Sequence, residues 1–445
     1  MIIEKETFYR RALLTAFWIR GCWGFFASDF VPIMAQLESF VFPMCDAVIV
    51  ALGVVLMRKK TDWLYAIAFL AITYSITCGY NHLSFKFYLN GLRDFMPYMF
   101  VIPIFRYFLS DDKRRERFVA IMDKHLFVYL VVQAPCCVIQ YIINSDSPDL
   151  IGGSLGHWYS GVTTTLIFAI SFYLIRKRID TEHFWISLWQ NKIYVILLLP
   201  TQLNETKVGF VLFFLYLLLL MPINRKTFVR MIAFIPIILV LMAGMYMAYA
   251  LVNGRTLSEM FSNESVLDMY MFDTSGDSAA LAEYISDNDM GEIEDVPRFA
   301  KLALLFEVNE ANPGHNITGF GIGHFKGGTV MDSSALAIEY DWLFFGSIPY
   351  FFHLYIQLGM IGVALMLLFL WNLFSAPKPG MKRDYNIHVY FIANFLIIQL
   401  YNDSIRTLLM MLVLSYIIMV SWSKKENVKE PEDDKSLEMN KYFNN

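Results

Sequence analysis

Residues 47–60 read Ala47-Val-Ile-Val-Ala-Leu-Gly-Val-Val-Leu-Met57-Arg58-Lys59-Lys60. An unbroken apolar run closes on three adjacent cations. Traced back to Met34, the run carries only Glu38 and Asp46 as charges, and as a helix it is long enough to cross the ~30 Å hydrocarbon of a bilayer. The pattern recurs. Apolar stretches bounded by charge or turn residues occur at 12–28, 34–57, 61–80, 93–109, 118–142, 159–176, 184–200, 207–222, 228–251, 346–374, 386–401 and 404–422. The first holds Arg20, and the last two are parted only by a short polar turn around Asn402 and Asp403.

Composition agrees with lipid as the solvent. The 445 residues are 57% hydrophobic, 16% aromatic and only 17% charged, with a mean hydropathy of +0.46. A soluble domain carries ~25% charged residues. Too little polar surface is left to cover a water-soluble fold of this size. The expected fold class is therefore all-α: a polytopic integral membrane protein of about twelve spans. Met1-Ile-Ile-Glu-Lys-Glu lacks the features of a cleaved signal peptide, so the first stretch is expected to remain as a membrane helix. A net charge of −4 gives no footprint for nucleic acid. Cys22, Cys45, Cys78, Cys136 and Cys137 lie in or beside apolar stretches, with neither disulfide nor zinc spacing.

Positive charge gives the orientation. Arg58-Lys59-Lys60, Lys113-Arg114-Arg115 with Arg117, Arg176-Lys177-Arg178, Arg225-Lys226, Lys378 with Lys382-Arg383, and Lys424-Lys425 all fall on one side under strict alternation. By the positive-inside rule that side is the cytoplasm, which also holds both termini. Four regions follow: nine spans over 1–251, an extracytoplasmic loop at 252–345, three spans over 346–423 and a charged cytoplasmic tail at 424–445. The loop is acidic at first, with eleven Asp or Glu against Arg255 alone between Val252 and Pro297. From Arg298 onward it is richer in apolar residues, Gly and His. Residues 299–308 have helical periodicity. No repeat supports an inverted-repeat transporter.

Residues able to carry chemistry collect on the outer side. Arg298 either pairs with a nearby acid, Glu292 or Glu294, or offers its donor fork to a phosphate. Gly314, Gly319, Gly321 and Gly323 permit tight turns and close backbone approach to a ligand. They follow no strand and open no βαβ unit, so they are not a dinucleotide fingerprint. Lys207 either snorkels to the interface or adds a second cation for an anionic headgroup. Arg93 and Asp94 read as a simple ion pair, with Arg93 as an alternative substrate contact. His157, His315, His324 and His353 fall near the outer face. His324 and His353 are candidate general bases, with Glu339 and Asp341 as rivals.

The order of these features resembles the O-antigen ligase and Wzy-type polymerase superfamily. Asp295-Val-Pro-Arg298-Phe-Ala-Lys-Leu-Ala-Leu-Leu-Phe, followed by Pro313-Gly-His-Asn-Ile-Thr-Gly319-Phe-Gly-Ile-Gly-His-Phe325, is similar to its block of an arginine, a short helix and spaced glycines. Tyr355-Ile-Gln-Leu-Gly359-Met-Ile-Gly362 is similar to its glycine-bearing helix after the loop. Thr206-Lys207-Val-Gly209 stands where that family starts a helix with Ser-Arg-Gly, and Gly153-Ser-Leu-Gly-His-Trp-Tyr-Ser-Gly161 resembles its glycine-bearing start of an earlier helix. The likeness covers about 150–420.

The resemblance implies an enzyme at the outer face of the bacterial inner membrane. Such an enzyme moves a glycan from an undecaprenyl diphosphate carrier to an acceptor, without a metal or other cofactor. A polymerase uses a second lipid-linked repeat unit, giving O-antigen, capsule or exopolysaccharide. A ligase uses a lipid or protein acceptor. A chain-length regulator and a flippase are the partners it implies. Arg298 matches the loop arginine and Lys207 the helix-end arginine that hold the diphosphate; lysine keeps the charge but loses the bidentate fork. His353-Leu354 lies closer to Gly359 than the ligase His–Asn pair would, with no Asn after it, which favours the polymerase. Two other classes compete. A transporter or lipid flippase would place ionisable or Gly/Pro-broken residues at mid-membrane. A scaffold would use the long loop for docking.

Overall fold

The computed structural model describes residues 2–221, 314–325 and 348–424, apart from 145, 146, 148, 149, 181, 205, 207, 377 and 379; Lys301, Leu302, Leu305 and Phe344 are described as well. The described residues are mostly helical. They include four helices long and apolar enough to cross a membrane: Pro32–Leu56, Lys60–Tyr80, Asp112–Ile143 and Tyr350–Phe374.

The helices are α1 (Ile2–Asp29), α2 (Pro32–Leu56), α3 (Lys60–Tyr74), α4 (Phe85–Leu109), α5 (Asp112–Ile143), α6 (Ser160–Arg176), α7 (Phe184–Gln190), α8 (Ile193–Ile196), α9 (Val208–Leu220), α10 (His315–Thr318), α11 (Tyr350–Phe374), α12 (Tyr385–Tyr401) and α13 (Leu408–Val420). α3 runs on into a π-helical turn, Ser75–Tyr80. The only sheet among the described residues pairs β1 (Met381–Arg383) with β2 (Trp422–Lys424), antiparallel.

Helix formation follows the apolar runs, and packing is set largely by aromatic rings. Phe108 stacks on Phe118 at 4.2 Å and Phe172 on Tyr390 at 4.0 Å, all four fully buried. Such pairs add ~0.5–1.5 kcal/mol to burial alone.

Many of the ion pairs gather at one end of the bundle. There Arg106 pairs with Asp62, Arg114 with Glu6 at 3.5 Å, Arg176 with Asp384 at 3.8 Å and Lys378 with Asp112 at 3.6 Å. The guanidinium of Arg115 donates to the Val420 and Trp422 carbonyls. The basic clusters within the described residues therefore share one end of the bundle. Arg225-Lys226 and the expected span at 228–251 lie outside the described residues.

The stretch 184–200 departs from expectation. It is broken into α7, α8 and a 3-10 turn at Leu199–Asn204 rather than forming one helix. Asn191 turns its amide back to the Ser187 carbonyl at 2.9 Å, and Pro200 cannot donate within a helix. The path is nevertheless antiparallel to α6. Ser187 meets Arg178, Tyr194 meets Ser171 in mid-helix, and Asn204 meets Ser160.

Candidate functional site

The glycine block lies at the end opposite the basic clusters. Gly314, Gly319, Gly321 and Gly323 all have positive φ, as the block's turns require. α11 has a non-helical residue, Gly359, at φ 55° and ψ −149°. This break frees the carbonyls one turn earlier. The Ile356 oxygen accepts from Phe320 N–H and the Gln357 oxygen from Gly321 N–H, both at 2.9 Å. The Gln357 side chain adds an acceptor for Gly323 N–H at 2.9 Å. From the other side Thr77 accepts from Ile322 N–H at 3.0 Å, and Asn81 donates to the Gly319 carbonyl at 3.2 Å. Both belong to the π-turn and its cap, so the irregular helix end supplies the contacts. His315 Nε2 lies 3.1 Å from the Asn81 side-chain oxygen Oδ1.

The two glycine-bearing blocks singled out in the sequence, 314–325 and 359–362, thus meet face to face. Residues Lys301, Leu302 and Leu305 of the expected helix at 299–308 are helical. Leu305 is buried against Phe320, Phe352, Tyr355 and Ile356. Arg298, Lys207, Glu339 and Asp341 lie outside the described residues.

Beneath the block is a partly buried ionic cluster. Asp94 of α4 receives Arg406 Nη2 at 3.2 Å, and Arg406 Nη1 donates to Asp403 at 2.7 Å. His353 Nε2 lies 3.6 Å from the same Asp94 oxygen, and its ring stacks on Phe95. Because Gly323 N–H must donate to Gln357 Oε1, the Gln357 amide group faces His353 and donates to Nε2 at 2.8 Å. His353 is 4% exposed, and its ring is already engaged by the Gln357 amide. The Tyr98 and Tyr350 hydroxyls bond to each other next to it.

The expected Arg93–Asp94 ion pair is corrected. Adjacent helix residues point ~100° apart and do not face each other. Arg93 instead donates to Asp46 of α2 at 3.3 Å, and Arg20 of α1 reaches the same carboxylate at 3.7 Å. Arg93 is the more open of the two, at 35% against 14% side-chain exposure. Glu38 lies in the field of Arg20. A groove of about 570 Å³ between α1 and α2 is lined by Ala12, Ala16, Ile19, Trp23, Met44 and Cys45, the last adjacent to Asp46.

His324 lies at the rim of the block, its ring 2.9 Å from the Phe320 carbonyl. Burial pushes its pKa below the usual histidine range; the nearby His315 adds to this and the Phe320 carbonyl opposes it. His157 is further off and bonds the buried Asp29 at 2.7 Å. Among the described residues no group of three His, Cys, Asp or Glu side chains is placed to hold a metal ion.

Arg93, His353 and the glycines are candidates legible in the sequence, whereas Arg406 is not singled out by its short turn, and Asn402, Asp403 and Asp46 stand there only as turn residues and a charge within a span. The usable signal was a charge inside an apolar run, which Arg20 and Asp46 both give. No family model matches the chain, and no curated protein sequence matches it.

Proposed function

We propose that this chain is a membrane glycosyltransferase that polymerises polyprenyl-diphosphate-linked oligosaccharide units at the outer face of a bacterial inner membrane. One observation carries the reading: the glycine block at 314–325 and the Gly359–Gly362 segment are docked on one another above the Asp94–Arg406–His353 cluster. The helical residues that follow Arg298 pack on the same surface through Leu305. The groove between α1 and α2 offers apolar lining for a tethered lipid chain. A twelve-span topology with cytoplasmic termini belongs to the same proposal, supported by the gathering of basic clusters at the far end.

In this scheme the acceptor hydroxyl attacks the anomeric carbon and its proton passes to a base. The bond from that carbon to the diphosphate oxygen breaks, and the electron pair leaves with the lipid diphosphate. Arg298 and Lys207, with Arg93 as a further candidate cation, stabilise the growing negative charge without reorganisation. Glu339, Asp341 and His324 are the candidate bases, with His353 requiring release from Gln357.

Given a lipid-diphosphate-linked oligosaccharide, the purified protein is expected to make a ladder of lengths on a gel. Arg298→Ala is expected to abolish the ladder while membrane insertion is retained. A single shifted acceptor band would mean a ligase. A transporter reading is favoured by one feature, Asp46, which lies about ten residues, or ~15 Å, inside α2 from Leu56 and is shared by two arginines. Substrate movement into vesicles with no new glycosidic bond would establish it.

A further inference from the structure

We infer that the N-terminus of α6, together with Asn402 and Arg406, binds a phosphate-type anion carried by a lipid. As the holder of a leaving diphosphate, the site rests on the function proposed above. α6 is a 17-residue helix whose N-cap, Tyr159, provides no side-chain cap. Thr163 N–H makes the first helical bond, to the Tyr159 carbonyl at 2.8 Å. The N–H groups of Ser160, Gly161 and Val162 precede it and have no acceptor within the helix. Helix N-termini of this kind favour anions through these donors and the macrodipole.

A second observation points independently to a ligand. Asn402 is 7% exposed, and its Nδ2 is buried without a hydrogen-bond partner. The amide cannot be turned round. Ser404 N–H donates to Oδ1 at 3.1 Å, and the Ser404 hydroxyl donates to it as well. Nδ2 is therefore held towards the first turn of α6, 3.2 Å from where a Cβ on Gly161 would stand. Arg406 repeats the pattern. Its two terminal nitrogens are taken by Asp403 and Asp94, while Nε is buried and unpartnered.

The turn bearing these groups is fixed against α6 by Ser404 and Thr165, whose hydroxyls are 3.3 Å apart. On the other side Asn204 donates to the Ser160 carbonyl at 3.1 Å. Arg20 and Arg406 both act electrostatically on Tyr159, as do the acids Glu38 and Asp403. Asn402 Nδ2, Arg406 Nε and the helix N–H groups are all donors. An unsatisfied buried donor is costly, and an anion with several oxygens answers more than one of them.

Farnesyl diphosphate, phosphatidylglycerol vesicles and inorganic phosphate are titrated separately against the purified full chain. The wild type is expected to bind farnesyl diphosphate. Asn402→Asp keeps the acceptor for Ser404 but replaces the donor with a negative charge. It is expected to weaken binding by about ten- to hundredfold, the loss of a charge-assisted hydrogen bond. Gly161→Ala, which sets a methyl against Nδ2, checks the result in a variant with no charge change.

Asn402-dependent binding of farnesyl diphosphate supports a carrier-diphosphate site. The same dependence seen only with phosphatidylglycerol supports a headgroup site. Binding confined to inorganic phosphate, equal affinities across all three proteins, or no binding by the wild type overturns the inference. Asn402-dependent binding without any product from lipid-linked glycan leaves the anion site standing and removes glycosyl transfer. Turnover with an unchanged KM in Asn402→Asp does the reverse.

Discussion

Gly91 and Gly323 touch backbone to backbone. A Cβ on Gly91 would fall 2.2 Å from the Gly323 nitrogen, and one on Gly323 would fall 2.1 Å from the Phe87 carbonyl oxygen. The glycine block can sit on α4 only while both positions lack side chains. Gly91→Ala is expected to lower stability by about 1–3 kcal/mol through overpacking. Gly323→Ala adds about 1–2 kcal/mol, because φ is +82° there. Thermal unfolding of the purified variants checks both. A Gly91→Ala protein that melts with the wild type would contradict the contact.

The Asp94–Arg406 pair ties α4 to the turn before α13. Removing Asp94 leaves Arg406 with Asp403 as its remaining partner, so Asp94→Ala is expected to destabilise by about 1.5 kcal/mol, the loss of a hydrogen bond to a charged group. The low end of the usual range applies because Arg406 is 24% exposed on its side chain. The double variant Asp94→Ala with Arg406→Gln is expected to recover part of the loss. A mutant cycle would then return a coupling of about 1–3 kcal/mol.

His324 gives a pH dependence with a definite sign. Its folded pKa is lowered by burial, so protonation is harder in the native state than in the unfolded chain. Above an unfolded pKa of ~6.5 both states are neutral and the residue contributes no slope. As pH falls from there towards the folded pKa, the unfolded chain takes up the proton first and stability declines. Unfolding midpoints measured between pH 7 and 5 are expected to fall less in His324→Gln than in the wild type. Identical slopes would remove the effect.

Sidedness is open to chemical labelling. Trp158, 77% exposed, and Glu182, also exposed, lie at opposite ends of α6. In a background with the five native cysteines replaced, Trp158→Cys is expected to react with an impermeant maleimide added to intact cells. Glu182→Cys is expected to react only after permeabilisation. Reversed labelling would invert the orientation and put the glycine block in the cytosol.

What the sequence made legible follows from range. Apolar runs near twenty residues fix most helix positions because the bilayer demands that length and hides the backbone in helices. The broken course at 184–204 was not legible, since Asn191 and Pro200 act through local bonds that hydropathy does not weigh. The Arg93–Asp94 reading failed on geometry, because neighbours in a helix face different partners. His353 was visible as an ionisable group in an apolar helix, but its tie to Asp94 spans a chain separation of 259 residues. Gly359 was legible as a motif residue. Its role in releasing two carbonyls was not, because that needs the backbone angle itself.

The break at Gly359 also bears on the order of assembly. The acceptors that anchor Phe320 and Gly321 come from Ile356 and Gln357, which are synthesised after them and sit in a helix long and apolar enough to cross a membrane. The glycine block therefore cannot complete its hydrogen bonding before that helix has been made. Its surface is finished only when α11 is folded and bent, so a chain arrested before that helix would present the glycine segment without its seat.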